Sequence, residues 1–387
     1  MSISPSLELF YKACREKNID CLKAYINEVD INSTKNIGYN IVFDDNWEEG
    51  IKLFIRNGLC KNIIYSKFLE AYRNNNFSIL KLILEEFPDI GMCYDYGILS
   101  RKILLHVRKF GRLDIVDLLL KRGIDINSTV DFDGESALFY ACENEHIDVI
   151  KYLIKEGINI ECENNNGSTC FIYTCYDGKM KILKILIDNG ANINHINKWG
   201  NNGFMMACYN GKIDTLKILI DNGANINHIN ERGNNGFMIA CRNDFVDVVK
   251  LLINKVTNIN HVNFDGITAL ALACQYDRFE IVKLLIIHGV DINDGINEER
   301  GDNTGFYYSC LYSHYNIMKL LVAAGVDYNV WFEKNLKGKD VIEKRLKEIK
   351  EFENSGEYMR MKIELMLNKS ADIYALVVLV SDEYYTF

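Results

Sequence analysis

Apolar residues along this chain come in paired clusters separated by short polar turns. Ile182, Leu183, Ile185, Leu186 and Ile187 surround Lys181 and Lys184, the spacing of a helix that buries one face. A shorter apolar stretch ending in Thr174-Cys175 precedes this cluster, and Asn189-Gly190 closes it. Glycine adopts the left-handed conformation that ends a helix without a β-carbon penalty. The pattern therefore predicts two antiparallel helices, a stop, and then a turn leading into the next pair.

The chain repeats this unit almost word for word. Residues 188–197 and 221–230 both read DNGANINHIN, a period of 33 residues, followed by GNNGFMMAC and GNNGFMIAC. Equivalent markers fall at Gly123, Gly157, Gly190, Gly223, Val256, Gly289 and Gly325. A small pair recurs in the same register: Ala141-Cys142, Thr174-Cys175, Ala207-Cys208, Ala240-Cys241, Ala273-Cys274 and Ser309-Cys310. Periods of this length mean stacked units, each burying its apolar face against its neighbours.

Units are expected at about 130–161, 163–194, 196–227, 229–260, 262–293 and 297–329, within a regular region spanning 130–329. Degenerate pairs occupy 1–129, at about 6–32, 33–62, 63–91 and 98–127, with Pro88 just past the third. Val256 stands where the others have glycine. A branched residue in the left-handed region costs about 1–2 kcal/mol, so the junction at 254–260 is expected to be distorted or mobile. From 330 to 387 the period fails. Lys337–Glu353 reads as a charged helix with Ile342, Leu346 and Ile349 on one side, Met359–Leu367 as another, and Tyr374–Ser381 as an apolar helix or strand. This segment suits either a cap over the open end of the stack or a small recruitment module.

The segments DFDGESALFYAC (131–142), IDVIKYLIKEGINI (147–160) and NFDGITALALAC (263–274) resemble ankyrin repeats, with Thr268, Leu270 and Ala273 in place. The resemblance is specific over 123–330. It implies an all-α ankyrin solenoid of stacked helix-turn-helix units, with short hairpin-like finger turns and a helical C-terminal cap. The proline that usually opens the first helix is replaced by Ala137, Cys170, Gly203, Gly236, Ala269 and Gly305. That loss costs about 0.4–1 kcal/mol per unit through the unfolded chain. The Asn- and Ile-rich, nearly proline-free wording is similar to ankyrin proteins of giant amoeba-infecting DNA viruses, which implies a viral protein acting on a host factor in host cytoplasm.

Composition narrows the function. A net charge of −9 gives no overall positive field for a phosphate backbone, so nucleic acid is not an expected partner. The apolar run Ala375–Val380 is far short of the roughly 20 residues that span a bilayer, and no membrane association is expected. Six of the 12 cysteines share one repeat column and are expected as small buried residues, which suits a reducing, intracellular compartment. A monomer is the expected state.

Chemistry-bearing motifs are missing. The sequence holds no C-x-x-C pair, no HEXXH, no G-x-S-x-G and no phosphate-binding glycine loop. His195, His228 and His261 recur every 33 residues, but units stack about 10 Å apart and zinc–nitrogen bonds are about 2 Å, so they read as turn residues. No cofactor, metal or catalytic role is expected.

By the resemblance, partners meet the concave side formed by finger tips and the exposed ends of the first helices. Tip positions are Phe132, Lys198, Trp199, Arg232 and Phe264; helix-end positions are Tyr176, Tyr209, Arg242, Tyr276 and Tyr312. Aromatics and arginine dominate interface hot spots, so these ten residues are the candidate partner-binding set. Tyr140, Tyr173, Met206, Ile239, Leu272 and Tyr308 fall in a column that the family uses for core, and are expected as packing. The sequence supports a non-enzymatic protein-interaction scaffold, with a two-part adaptor recruiting ubiquitin machinery, or a structural component of an assembly, as alternatives.

Overall fold

The computed structural model describes residues 5–33, 37–87, 111–121, 125–127, 132–293, 303–333 and 339–369. Pro88, the start of the fourth pair at 98–110, the marker Gly123 and the stretch Tyr374–Ser381 lie outside them. Two compact units divide the chain, residues 1–165 and 166–387.

In the first unit, helices pair as Pro5–Arg15 with Ile19–Tyr25, Gly38–Asp44 with Glu48–Arg56, Lys61–Arg73 with Phe77–Glu86, and Ala137–Glu143 with Ile147–Lys155. Leu113–Lys121 is the described helix of the remaining pair. Phe10, Leu22, Ile51, Phe54, Ile64 and Leu80 are fully buried between neighbours.

The second unit holds five pairs: Cys170–Asp177 with Met180–Asp188, Gly203–Tyr209 with Ile213–Asp221, Gly236–Arg242 with Val246–Leu252, Ala269–Gln275 with Phe279–Ile287, and Gly305–Leu311 with Tyr315–Ala323. Phe171, Phe204, Phe237, Leu270 and Phe306 form its buried spine. Among the described residues the extended backbone is limited to isolated bridges within finger turns, such as Ile196 with Asn202 and Ile229 with Asn235.

Gly157, Gly190, Gly223, Gly289 and Gly325 end their helices with φ between +78° and +90°. Val256 escapes that requirement. Its helix stops early, at Leu252, and the amides of Lys255 and Val256 both bond the Leu252 carbonyl, at 2.8 and 3.0 Å. The valine keeps a negative φ. The expected distortion is present, but the left-handed strain is avoided by shortening the helix.

At three of the six positions, close packing accounts for the missing proline. A β-carbon at Gly203, Gly236 or Gly305 would lie 2.8–2.9 Å from the sulfur of Cys175, Cys208 or Cys274 in the preceding pair. At these three joints the first helices meet through a glycine backbone and a buried thiol. A proline ring has no room there.

Asparagines join the units in two ladders. In the first, the side-chain oxygen of Asn194, Asn227, Asn260 and Asn293 accepts the backbone amide of Asn225, Thr257, Asp291 and Asp327 in the next unit, at 2.8–3.1 Å. Asn32 with Cys60 and Asn127 with Asn159 repeat it in the first unit, at 2.6 and 2.7 Å. The second ladder holds the fingers. Asn197, Asn230 and Asn263 each accept two amides of their own turn, two and four residues on, at 2.9–3.1 Å. Their Nδ2 groups donate back to Ser168, Asn201 and Asn234 of the preceding finger, at 3.3, 3.0 and 2.9 Å. Nε2 of His195, His228 and His261 donates to the carbonyls of Gly167, Gly200 and Gly233, at 2.8–3.0 Å, so the histidine column is a third rail.

Beyond the last pair, Lys339–Glu343, Leu346–Glu353 and Gly356–Lys369 pack on the helices of the final two pairs. Ile342, Ile349, Phe352 and Leu365 are buried there. The helix expected over 337–353 breaks at Lys344-Arg345. The break lets Arg345 donate to the Cys310 carbonyl at 3.4 Å, to the Tyr315 hydroxyl at 3.0 Å and to Ser313. Lys319 pairs with Glu357 at 2.9 Å, and Lys283 with Glu364.

Asn263→Ala is expected to lower stability by about 2–3 kcal/mol, because it leaves two finger amides and the Asn234 carboxamide without partners. Asn222→Ala removes only an exposed bond to the Ile218 carbonyl and should cost less than about 1 kcal/mol. Urea denaturation of both variants checks this; equal losses would contradict the ladder.

Burial raises the thiols of Cys175, Cys208, Cys241 and Cys274 above their ordinary value, and that of Cys310 to about 12. In the unfolded chain a thiol ionises near pH ~8.5. The folded form therefore keeps a proton that the unfolded form releases. Stability is full below that pH and falls as pH rises towards the folded value, by ~1.4 kcal/mol per pH unit for each thiol. Unfolding free energies measured between pH ~8 and ~9.5 should show this decline, with a smaller slope in Cys208→Ala. An unchanged slope would contradict it.

Candidate functional site

In the second unit the finger turns and the C-terminal ends of the first helices face a common groove of about 340 Å³. Trp199 and Arg232 reach it from two finger tips, and Tyr209, Arg242 and Tyr276 from three successive helix ends. Five of the ten sequence-derived positions thus lie together.

The wall is built from backbone bonds as much as from side chains. Glu231 N donates to the Trp199 carbonyl and Phe264 N to that of Arg232, both at 3.2 Å, so each tip rests on the one before. The helix ends are clamped in the same direction. Asn243 Nδ2 donates to the Tyr209 carbonyl at 3.0 Å, and Arg278 Nε to that of Arg242 at 3.0 Å. Asn210 likewise holds the Tyr176 carbonyl at 2.9 Å. These clamps take up otherwise orphaned helix-end carbonyls. Asn210 and Asn243 directly follow the candidate positions Tyr209 and Arg242, and the structure uses them internally.

Trp199, Tyr209 and Tyr276 are 53%, 46% and 42% exposed, far more than rings held in the core. The Arg242 guanidinium carbon lies 5.3 Å from the Tyr276 ring centre, a cation–π arrangement that orients its donors. Ile239 and Leu272 supply the apolar floor, and Asn201 and Asn234 stand beside them. Glu231 and Asp265 also line the groove.

The other five positions are elsewhere. Lys198 and Phe264 are exposed on the tips but are not part of the groove wall. Tyr176 is half-buried against Tyr209, with ring centres 6.2 Å apart. Tyr312 stacks on Tyr308 at 6.3 Å in the last pair. Phe132 belongs to the first unit and is 80% exposed.

The column expected as packing divides. Tyr140, Leu272 and Tyr308 are buried, but Tyr173 is 39% exposed and Met206 and Ile239 are half-buried. The physical reason is position on the short first helix: this residue faces the inner surface, where a large side chain is covered only partly by the next unit. Ile239, half-buried, and Leu272, buried as expected, both line the groove, a role that sequence reasoning missed. Their signal was an apolar residue three or four positions before a surface arginine or aromatic, on the same helix face.

Among the described residues, no three His, Cys, Asp or Glu side chains lie together as a metal-binding group. No described helix is long and apolar enough to cross a membrane.

Comparison with known proteins agrees with this architecture. A family model described as "Ankyrin repeats (3 copies)" matches residues 68–164, 157–230, 204–296 and 237–331. Ankyrin repeat protein R600 of Acanthamoeba polyphaga mimivirus is 25% identical over 158 residues, covering 40% of this chain and 45% of that protein. A rice protein (Oryza sativa subsp. japonica) named "Probable E3 ubiquitin-protein ligase XBOS33" is 30% identical over 94 residues, covering 24% of this chain and 18% of its own length. The chain spans less than half the length of either relative. With its stacked helix pairs, finger turns and family match over most of its length, this chain belongs to the ankyrin-repeat family.

Proposed function

We propose that the protein is a non-enzymatic interaction scaffold that holds a protein partner in the groove between Trp199 and Tyr276. Ankyrin arrays are protein-interaction scaffolds, and one observation supports this location above others. Three half-exposed aromatic rings and two arginines converge on a single concavity whose finger tips and helix ends are tied to their neighbours by hydrogen bonds. Hot spots favour these residue types, and a groove fixed before binding needs little ordering when the partner arrives. The remaining candidate positions, Phe132, Tyr176, Lys198, Phe264 and Tyr312, are proposed as peripheral contacts.

A second reading, a two-part adaptor, is raised by the ligase-named relative. The packing of Ile342, Ile349 and Leu365 onto the last pairs favours the cap over a separate recruitment module. A viral origin and action on a host factor would fit the mimivirus relative and remain part of the proposal.

Trp199→Ala is expected to weaken partner binding by at least ~2 kcal/mol, and the Trp199→Ala/Tyr209→Ala pair further, with circular dichroism and melting unchanged. Isothermal titration with a captured partner checks this; full affinity in the double variant would remove the groove from consideration.

Deleting 339–387 should lower the melting temperature and promote aggregation, because it uncovers the face of Tyr315–Ala323 on which Leu346–Glu353 and Gly356–Lys369 pack. Light scattering and thermal melting read this directly. A monodisperse, equally stable truncation would favour the adaptor reading.

A further inference from the structure

The groove contains hydrogen-bond donors that the fold has oriented but does not use. Asn201 and Asn234 each offer Oδ1 to the carboxamide of the next finger, Asn230 at 3.0 Å and Asn263 at 2.9 Å. With the oxygen held, the rotation of each carboxamide is set and its Nδ2 remains a two-proton donor. Arg232 and Arg242 line the same groove, and neither forms an ion pair among the described residues. Arg242 is half-buried against Tyr276, so its planar fork is partly oriented before any ligand arrives.

We propose that the occupant of this groove is an extended, acidic peptide segment of the partner. A carboxylate engages Arg242, backbone carbonyls accept from Asn201 and Asn234, and a neighbouring aliphatic or aromatic side chain packs on Ile239 and Leu272. This rests on the groove being the binding face proposed above. The repeat spacing suits such a ligand. An extended polyproline-II-like chain returns to the same orientation every three residues, about 9 Å along its axis, close to the ~10 Å between stacked helices. Successive units can then present one carboxamide to every third carbonyl. A phosphate backbone suits the groove less well. Two guanidiniums beside Glu231 and Asp265 suffice for one carboxylate held at Arg242, whereas nucleic-acid affinity comes from neutralising many phosphates.

The test is selection of displayed random peptides on the full chain, followed by titration of resynthesised, labelled winners. The expected winners carry Asp or Glu within a few residues of an aromatic or aliphatic side chain, and Trp199→Ala abolishes their binding. Arg242→Gln, and Glu→Gln in the peptide, each weaken it about tenfold or more. A peptide with Glu→Lys should regain affinity for Arg242→Glu, a rescue that a folding defect would not produce. Winners abolished by Trp199→Ala but without acidic preference and indifferent to Arg242→Gln would overturn the acidic occupant while leaving the groove as the binding face. Winners indifferent to Trp199→Ala, or no enrichment at all, would overturn both. Displacement of the peptides by a labelled single-stranded RNA oligonucleotide that binds more tightly would also overturn the proposal.

Discussion

A finger turn presents backbone amides that the stack covers in part, and a buried amide without a partner costs about 1–3 kcal/mol. Asn197, Asn230 and Asn263 meet that constraint. Each carboxamide oxygen takes two amides of its own turn, while its nitrogen reaches the finger before. The stack can therefore add units without leaving polar backbone buried and unpaired. Everything on the inner surface depends on this, since the tips that carry Trp199 and Arg232 are the turns that these asparagines close.

The constraint also shows which features are negotiable. At Val256 the helix stop changes form, yet Thr257 still donates to Asn227 at 3.1 Å. The lateral bond is kept while the helix loses its last turn. Between first helices the opposite holds: Gly203, Gly236 and Gly305 leave no space for a β-carbon against the neighbouring cysteine sulfurs. One joint absorbs variation in the loop, whereas these three leave no room for a larger residue in the core.

Helix pairs, their register and the ankyrin architecture were legible in the sequence, because a 33-residue period fixes both spacing and the buried face. The inner surface was legible only in part. Trp199, Tyr209, Arg232, Arg242 and Tyr276 could be placed there by position in the repeat, but their convergence depends on three units at once. Asparagine was the residue least readable in advance. The same letter serves as an inter-unit clasp at Asn194, a finger brace at Asn230 and a helix-end clamp at Asn243, roles set by partners some 30 residues away. Ile239 was taken for core because the period identifies a helix face but not how far the next unit covers it. The break at Lys344-Arg345 was hidden for a related reason: a charged helical pattern does not reveal that one arginine must turn to reach the Cys310 carbonyl.

A groove braced in this way should be formed before any partner binds. Native-state amide hydrogen exchange on the free chain tests that most directly. If the asparagine ladder holds, the amides of Asn201, Asn234 and Ile267, which donate to Asn197, Asn230 and Asn263, will exchange about as slowly as those within the neighbouring helices. Exchange at the rate of an unstructured peptide would show that the fingers are not fixed in the free protein, and would contradict the account.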